Sequence, residues 1–246
     1  MPNNFFQFKQ FMIQQEHCAM KVTTDACLFG AMVAEHVKQT ISYRAQNIIN
    51  SCLDIGTGTG LLSLMLAQKN KQLAIEAVEI DEEAAKQAEQ NFVHSSWKSN
   101  LSVHCTSIQQ FVKNNTRKFD FIISNPPFFN NDLKSNKHDR NIALHSAALS
   151  FEELIYCIKT TISAAGRFAI LLPYHRTTEF IQLAKDYYLE EHILVKQTPN
   201  HPYFRSILFF NTQQADTKNK EIIIKLQDDR YSEIFIEYLK DYYLYL

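Results

Sequence analysis

Hydrophobic and polar residues follow one another along this chain in two distinct periods. Short apolar runs that stop at polar or turn residues predict buried strands, and longer stretches with apolar residues three or four positions apart predict helices. The predicted strands cover residues 48–54, 74–80, 101–105, 119–124, 166–173, 191–196, 206–210 and 221–226. The predicted helices cover residues 25–37, 61–67, 82–92, a short segment after 107, 151–163, 177–187 and 232–243. Because strands and helices alternate from Ile48 to Asn211, the sequence predicts an α/β fold with a doubly wound sheet.

The first 34 residues are rich in aromatic side chains, with Phe5, Phe6, Phe8 and Phe11 placed among polar residues. So many aromatic residues need a surface to pack on, which an extension packed on the core or a lid over a cofactor pocket would provide. We expect residues 1–34 to form this N-terminal extension, residues 35–211 the core, and residues 212–246 a C-terminal strand and helix packed on that core.

The composition places the chain among globular proteins. It has 246 residues, of which 46% are hydrophobic and 21% charged, enough for one large domain or one domain with small additions. The formal net charge of −1 neither requires nor excludes a nucleic-acid partner. No stretch approaches the roughly 20 apolar residues that span a bilayer. The first residues do not resemble a signal peptide, so we expect a cytoplasmic location.

Cysteine and histidine give no sign of a metal or disulfide framework. The five cysteines are scattered and never form a Cys-x-x-Cys pair, and the nine histidines never take a metal-binding spacing. We therefore expect no metal.

A glycine-rich loop, Asp54-Ile55-Gly56-Thr57-Gly58-Thr59-Gly60, joins the first core strand to a helix. Strand, glycine loop and helix in this order are typical of a nucleotide-binding turn. The third glycine of the dinucleotide pattern is absent, and no Lys-Ser or Lys-Thr follows to make a phosphate loop. The Asp54 carboxylate would repel a phosphate but suits a cation, and S-adenosylmethionine carries an ammonium and a sulfonium.

Glu79 stands at the end of the next predicted strand, about 25 positions after Asp54. A carboxylate at this place can accept hydrogen bonds from both hydroxyls of a ribose, which a nucleoside cofactor presents. The alternative is a chance surface carboxylate. Its interval and its position at a strand end favour the ribose role.

The segment Asn125-Pro126-Pro127-Phe128 follows the strand predicted at 119–124. Because proline disfavours the α region for the residue before it, Asn125 and Pro126 are held extended on a stiff backbone. The amide oxygen of Asn125, the carbonyl of Pro126 and the aromatic face of Phe128 together suit a planar group that carries an NH2. An isolated Asn-Pro-Pro would be read as a strand terminator. The two preceding motifs favour a binding site.

Taken in order, the Asp54 to Gly60 loop, Glu79 and the Asn125 to Phe128 segment resemble the class I S-adenosylmethionine-dependent methyltransferases that modify amino groups. The N-terminal block narrows the resemblance. Residues 8–11, Gln15 and residues 19–25 look like the entry segment of bacterial tRNA1(Val) adenine-N6-methyltransferases, which modify the adenine beside the anticodon. The similarity continues through 80–81, 87–88, Asn91, 140–145 and 241–244, and so covers nearly the whole chain.

This resemblance implies a Rossmann-like, seven-stranded, mostly parallel sheet with helices on both faces and a last antiparallel strand. It also implies S-adenosyl-L-methionine as cofactor and the acceptor amine held by Asn125 and the Pro126 carbonyl, with the base stacked on Phe128. The implied cofactor-binding residues are Lys21, Asp25, Asp54, Gly56, Gly58, Gly60, Glu79, Ile80, Ser107 and Asn125.

The implied partner is tRNA, with no membrane, and a monomer is favoured over a homodimer. Basic residues, rather than the net charge, are expected to provide the affinity for RNA. The candidates are Lys9, Lys21, Lys134, Lys137, Arg140, Arg176 and Arg205.

Two positions depart from the family pattern. Ser107 stands where such enzymes commonly carry an aspartate for the cofactor's adenine amine, and with Gln110 it also forms a capping-box pattern, so both roles stay open. Thr23 replaces the glycine of the usual Lys-Val-Gly-Thr-Asp, which removes backbone freedom there.

Other activities share the Asn-Pro-Pro motif. A ribosomal guanine-N2 methyltransferase tends to have a duplicated half, for which this chain is short, and a protein glutamine N5-methyltransferase usually carries a helical N-terminal domain. A non-catalytic RNA-binding protein on the same scaffold would not need Asp54, Glu79 and Asn125 intact.

Overall fold

The structure is a computed structural model that describes residues 3–16, 18, 20–43, 49–126 and 149–246. In these ranges the strands are β1 (Phe5–Gln7), β2 (Met12–Gln14), β3 (Ser51–Ile55), β4 (Ala74–Glu79), β5 (Leu101–Cys105), β6 (Phe119–Ser124), β7 (Ile162–Pro173), β8 (Tyr188–Lys196), β9 (Tyr203–Asn211) and β10 (Lys218–Ile223). The helices are α1 (Thr24–Tyr43), α2 (Leu61–Lys69), α3 (Glu82–Val93), α4 (Ile108–Asn114), α5 (Phe151–Thr161), α6 (Thr177–Leu183) and α7 (Glu233–Leu239).

The large sheet has the strand order β10-β8-β9-β7-β6-β3-β4-β5. All neighbours are parallel except β9, which is antiparallel to both β7 and β8. The predicted α/β fold is therefore confirmed, but the prediction of seven strands is wrong, because the sheet has eight. The eighth, β10, lies parallel to β8 and covers the edge that β8 would otherwise leave open.

An ionic cluster helps to hold β10 in place. Glu191 on β8 contacts Lys220 on β10 at 2.5 Å and His36 on α1 at 3.7 Å. Burial acts to raise the pKa of Glu191, but its contacts with His36 and Lys220 outweigh burial and lower that pKa to about 2. The strand of the predicted C-terminal extension is thus part of the main sheet.

Alternate residues of the strands face opposite layers of helices, as the two-residue period of a strand requires. In β7, Ala169 and Leu171 pack in the core with α1, α2 and α7, whereas Ile170 and Leu172 pack in the core with α4, α5 and α6. Both faces of the central strands are covered, which explains why these strands read as continuous apolar runs.

Phe5 and Phe6 lie on β1, which pairs antiparallel with β2, and Phe8 and Phe11 lie in the connection between these strands, which the sequence did not predict. Phe8 is fully buried, stacks on Phe11 at 4.5 Å and forms a bridge with Tyr243. The backbone N–H of Lys9 also donates to the Tyr242 carbonyl at 2.8 Å. The division of the chain into parts 1–34, 35–211 and 212–246 stays a prediction. Helix α1 crosses the boundary at residue 34 without a break.

Asn91 on α3 links this N-terminal sheet to the glycine loop. Its amide oxygen accepts from the Gln14 N–H at 2.9 Å, and its amide nitrogen donates to the Gln14 carbonyl at 2.9 Å and the Thr59 carbonyl at 2.8 Å. The side chain is buried, so each of these groups depends on Asn91 for a partner.

Gly60 closes the glycine loop under a steric constraint. Its φ is +80°, and a Cβ there would lie 2.5 Å from Cε1 of buried Phe92. Gly56 also has a positive φ of +72°, but no atom lies within 4 Å of its Cβ position.

We expect Gly60→Ala to lower the free energy of unfolding by about 2 to 4 kcal/mol, since backbone strain and overpacking against Phe92 add. Gly56→Ala is the matched control and should lose only about 1 to 2 kcal/mol, from the backbone alone. Urea unfolding of both variants measures the difference. Equal losses would show that Phe92 does not constrain Gly60.

Candidate active site

Four strands bring the predicted site residues to one edge of the sheet. Strands β5, β4, β3 and β6 are adjacent and parallel, with Ile55 level with both Val78 and Ser124. Asp54 and Glu79 lie at the carboxyl ends of β3 and β4, and Ser107 and Asn125 follow the ends of β5 and β6. The carboxyl edge is where ligands bind in sheets of this kind.

The Asp54 carboxylate is fully buried beneath the glycine loop. Its Oδ2 accepts hydrogen bonds from the Thr57 and Ser63 hydroxyls, both at 2.7 Å, whereas Oδ1 is buried without a partner among the described residues. Burial raises the pKa of Asp54 to about 6, with a smaller contribution from the Glu79 charge, against the lowering effect of the two hydroxyls. One carboxylate oxygen is thus ready to receive a buried donor or cation.

Glu79 is held by backbone N–H groups on both oxygens. Gly58 donates to Oε2 at 2.8 Å, and Asp81 donates to Oε1 at 3.0 Å. A carboxylate has about four acceptor positions, so roughly two remain for other donors. Asp81 caps α3 as predicted, accepting from the Ala84 N–H at 2.8 Å. Ile80, between these acids, is 54% exposed and presents an apolar surface beside them.

A side-chain hydrogen bond links the end of β6 to β3. The Ser124 hydroxyl donates to the Ile55 carbonyl at 2.8 Å, which fixes the backbone one residue before Asn125. Asn125 is half-buried and Pro126 is buried. Pro127, Phe128, Lys134, Lys137 and Arg140 lie outside the described residues.

The N-terminal segment reaches the cofactor side of this edge. Burial, and then the charges of Glu79 and Asp81, raise the pKa of Cys18 to about 11, against the effect of Lys21. Cys18 therefore lies within electrostatic reach of this acidic pair. The Lys21 ammonium also donates to the Asn3 carbonyl at 3.3 Å.

Asp25 and Arg205, predicted for different ligands, pair with each other. Arg205 Nε donates to Asp25 Oδ2 at 2.6 Å, joining the first turn of α1 to the start of β9. Their predicted ligand roles stay predictions.

Both departures from the family pattern serve as helix caps. The Ser107 hydroxyl accepts from the Gln110 N–H at 3.2 Å and caps α4. Thr23 Oγ1 accepts from the Ala26 N–H at 3.4 Å, at the start of α1. A hydroxyl that caps a helix still has acceptor capacity, so the cofactor role of Ser107 stays a prediction.

Two of the predicted RNA-binding cations are also engaged elsewhere. Lys9 donates to the Lys240 carbonyl at 2.5 Å and lines a cavity with Lys69, at the end of α2 and thus at the amino edge of the sheet. Lys9 is therefore on the far side of the sheet from Asn125. Arg176 pairs with Glu179 and lies 4.4 Å from the centroid of the Phe151 ring.

Sequence reasoning assigned no role to the residues that support the predicted ones. Thr57 and Ser63 hold Asp54, and Asn91 holds the glycine loop. The hydroxyls at three and nine positions after Asp54 were a signal that could have identified the first two. The partners of Asn91 lie up to 77 positions away, and no local pattern indicates them.

Within the described ranges, no helix has the length and apolar character needed to cross a bilayer. In the same ranges, no three His, Cys, Asp or Glu side chains come together to hold a metal ion.

Comparison with known proteins places this fold and its carboxyl-edge site in a class of proteins. Residues 20–150 match the family described as the methyltransferase small domain. A protein from Agrobacterium tumefaciens described as a predicted O-methyltransferase is similar in fold, with a TM-score of 0.64, 15% identity, and coverage of 88% of this chain and 96% of that chain. A ribosomal protein L11 methylase from Lactobacillus delbrueckii subsp. bulgaricus has a TM-score of 0.53, 15% identity, and coverage of 83% and 84%. These likenesses show the class I methyltransferase fold.

Relatives of higher identity define the family within that class. The tRNA1(Val) (adenine(37)-N6)-methyltransferase of Pseudoalteromonas translucida is 43% identical, covering 97% of this chain and 98% of that protein. The protein of the same name from Cytophaga hutchinsonii is 38% identical, covering 100% of both. This chain belongs to the tRNA1(Val) (adenine(37)-N6)-methyltransferase family, which confirms the resemblance of its motifs.

The raised pKa of Asp54 makes stability depend on pH. Its pKa is about 6 in the folded protein against 3.8 as the ordinary value, so its favourable contribution is complete below pH 3.8 and is lost as pH rises through 6. The unfolding free energy of Asp54→Asn, minus that of the wild type, should therefore rise by about 2 kcal/mol between pH 4 and pH 7. Urea unfolding across this range measures it.

Asp186→Asn is the control for this experiment. Lys159 lowers the pKa of exposed Asp186, so removing that carboxylate should give a small change of the opposite sign. If the difference in unfolding free energy between Asp54→Asn and the wild type does not change with pH, the pKa of Asp54 is not raised in the folded protein.

Proposed function

We propose that this protein uses S-adenosyl-L-methionine to methylate the N6 amine of an adenine in tRNA, the adenine beside the anticodon of a valine tRNA. The single observation that carries the proposal is the placement of Asp54, Glu79 and Asn125 on adjacent strands at one edge. Two carboxylates suit a cationic nucleoside cofactor, and an amide beside them suits an amine. The family name supports adenine in tRNA as the acceptor.

The residues present fit this cofactor. The unpartnered Oδ1 of Asp54 would accept from the cofactor's ammonium, and that positive charge would offset the cost of burying the carboxylate. The free acceptor positions of Glu79 would take the ribose hydroxyls, and exposed Ile80 would cover the adenine ring. The backbone of Gly56, Gly58 and Gly60 would let the cofactor approach closely. Lys21, Asp25 and Ser107 complete the proposed binding set. When bound, the cofactor supplies a methyl group already activated by a sulfonium.

Asn125 and Pro126 prepare the acceptor amine. The Asn125 amide oxygen and the Pro126 carbonyl each accept one hydrogen of the N6 amine, which steers its nitrogen toward a pyramidal, nucleophilic geometry. No strong base is needed before transfer, because the amine attacks through its own lone pair once it is positioned in line, and the proton that it sheds after methylation passes to water. The Ser124–Ile55 hydrogen bond keeps this backbone rigid.

The adenine must leave its stack to reach Asn125. Enzymes that modify a base extrude it from the stack into a pocket, at a cost of a few kcal/mol. In the proposed complex Phe128 stacks on the extruded base, a contact worth roughly 1 to 3 kcal/mol. Lys134, Lys137 and Arg140 remain the proposed phosphate contacts, whereas Lys9 lies on the far side of the sheet and Arg205 pairs with Asp25. We further propose that the reaction takes place in the cytoplasm and that a monomer is favoured over a homodimer.

Transfer of a labelled methyl group from S-adenosyl-L-methionine to total RNA tests this proposal. RNA from a strain that lacks the enzyme is incubated with the protein, and its nucleosides are then separated. We expect labelled N6-methyladenosine in the tRNA fraction. Labelled N2-methylguanosine, labelled protein or no transfer would contradict the proposal, and calorimetry that detects no cofactor binding would favour a non-catalytic scaffold.

Replacing Asn125 tests the amine-holding role. We expect Asn125→Ala to lower turnover about 100-fold or more, the scale for removing one preorganised polar partner, with cofactor affinity nearly unchanged. Steady-state kinetics and calorimetry measure the two quantities. Asn50→Ala, at the exposed amino edge of β3, is the matched control and should keep normal turnover. Near-normal turnover of Asn125→Ala would exclude the role.

A further inference from the structure

A pocket of about 370 Å³ lies at the carboxyl edge of the sheet, beyond the end of β7 and the start of β9. Its volume falls in the range of about 300 to 1,000 Å³ that is typical of small-ligand sites. Among the described residues its lining consists of Met20, Pro173, Tyr174, His175, Tyr203, Phe204 and Arg205. None of the cofactor contacts proposed at Asp54, Glu79 or Ile80 belongs to it.

The strand register places this pocket beside Asn125. Ser124 is level with Ile170 on the neighbouring strand β7, and β7 continues to Pro173, which is level with Arg205 on β9. Strands lie about 4.8 Å apart and rise about 3.3 Å per residue, so the backbone at Pro173 lies within roughly 10 Å of Pro126. Asn125 and Pro126 do not line the pocket. The pocket is therefore next to the proposed amine site and separate from it.

Aromatic rings form the walls of the pocket. The ring centroids of Tyr174 and Tyr203 are 5.3 Å apart at an interplanar angle of 49°, and Phe204 follows Tyr203 in the lining. Tyr174 is 43% exposed, so much of its ring surface is open to a ligand. Exposed aromatic faces are stacking platforms for nucleobases.

Two of the cations around these rings, Lys196 and Arg205, are already matched by carboxylates. Arg205 pairs with Asp25 at 2.6 Å. Lys196 lies 4.6 Å from the centroid of Tyr203 and pairs with Glu221 at 3.3 Å, and the Tyr203 hydroxyl donates to the same carboxylate. With their charges compensated, these groups fix the walls and offer little attraction to a phosphate. The pocket suits a neutral planar ring better than an anion.

We propose that this pocket takes the base of a nucleotide that flanks the methylated adenine in the same RNA. The inference rests on the proposed function, since extrusion of the adenine breaks the stacking of its neighbours as well. A neighbouring base that stacks on Tyr174 recovers the lost contact and positions the adenine at Asn125. Tyr174 is thus a positioning residue for the RNA.

Steady-state kinetics with an anticodon stem-loop of valine tRNA test the role of Tyr174. Because one base stack is lost, Tyr174→Ala should raise KM for the stem-loop about 10-fold, with cofactor affinity unchanged. Tyr174→Phe retains the ring and should restore the wild-type KM. Tyr188→Ala is the matched control, because Tyr188 is 44% exposed but lies opposite Asn211 at the amino edge of the sheet. An unchanged KM for Tyr174→Ala would overturn the inference.

Salt dependence separates a base contact from a phosphate contact. Loss of a phosphate contact lowers the slope of log affinity against log salt by about one, whereas loss of a stacking contact leaves it unchanged. We therefore expect Tyr174→Ala to weaken stem-loop binding by the same factor at low and high salt. A reduced slope would mean that the pocket region holds a phosphate, against the proposal.

A fluorescent base identifies the occupant. 2-Aminopurine is placed at the target position or at the nucleotide on its 5′ or 3′ side, in three separate stem-loops. A flanking probe should change its fluorescence on binding to the wild type, and this change should be lost in Tyr174→Ala and kept in Tyr188→Ala. If only the target probe depends on Tyr174, or no probe does, the inference fails while wild-type methylation still supports the proposed function. If the wild type methylates no tRNA, both fail together.

Discussion

The structure depends most on the burial of one carboxylate. Asp54 lies beneath the glycine loop with one oxygen satisfied by Thr57 and Ser63 and the other without a partner in the described chain. An isolated buried charge is expensive, so the raised pKa of Asp54 reflects the energy stored at this point. A cationic ligand would release that energy on binding. The loop above this acid has positive φ angles at its three glycines, and the backbone N–H of Gly58 donates to Glu79.

The two halves of the proposed site are held by different means. The cofactor half is built from strand ends and a glycine loop, and Asn91 ties that loop to the N-terminal sheet. The acceptor half is built from Asn125, from the end of β7 and from the antiparallel strand β9, whose start reaches the carboxyl edge because it runs in the opposite direction. The Asp25–Arg205 ion pair connects the two halves through α1.

The sequence predicted those parts that follow from local pattern. Strands 101–105 and 119–124 were predicted with the bounds that the structure has, because polar or turn residues border them on both sides. Asp54, Glu79 and Asn125 were placed correctly at one edge since the carboxyl ends of parallel strands coincide. The sequence did not predict that β10 would join the sheet or that Tyr174 and Tyr203 would meet, because both depend on strand pairing. Likewise, Asp25 and Arg205 are 180 positions apart, and no local pattern relates them.

The pairing of Phe8 with Tyr243 has a consequence for the order in which parts of the protein fold during synthesis. Lys9 and Lys240, which meet beside this pair, are 231 positions apart, a distance that takes roughly 10 to 50 s to synthesise at ribosomal rates. During that interval β1 and β2 lack their C-terminal partners, although the glycine loop and α3 have already emerged. The N-terminal sheet thus gains its full set of packing partners only after residue 243 has been made, and the folding of the two chain ends is coupled.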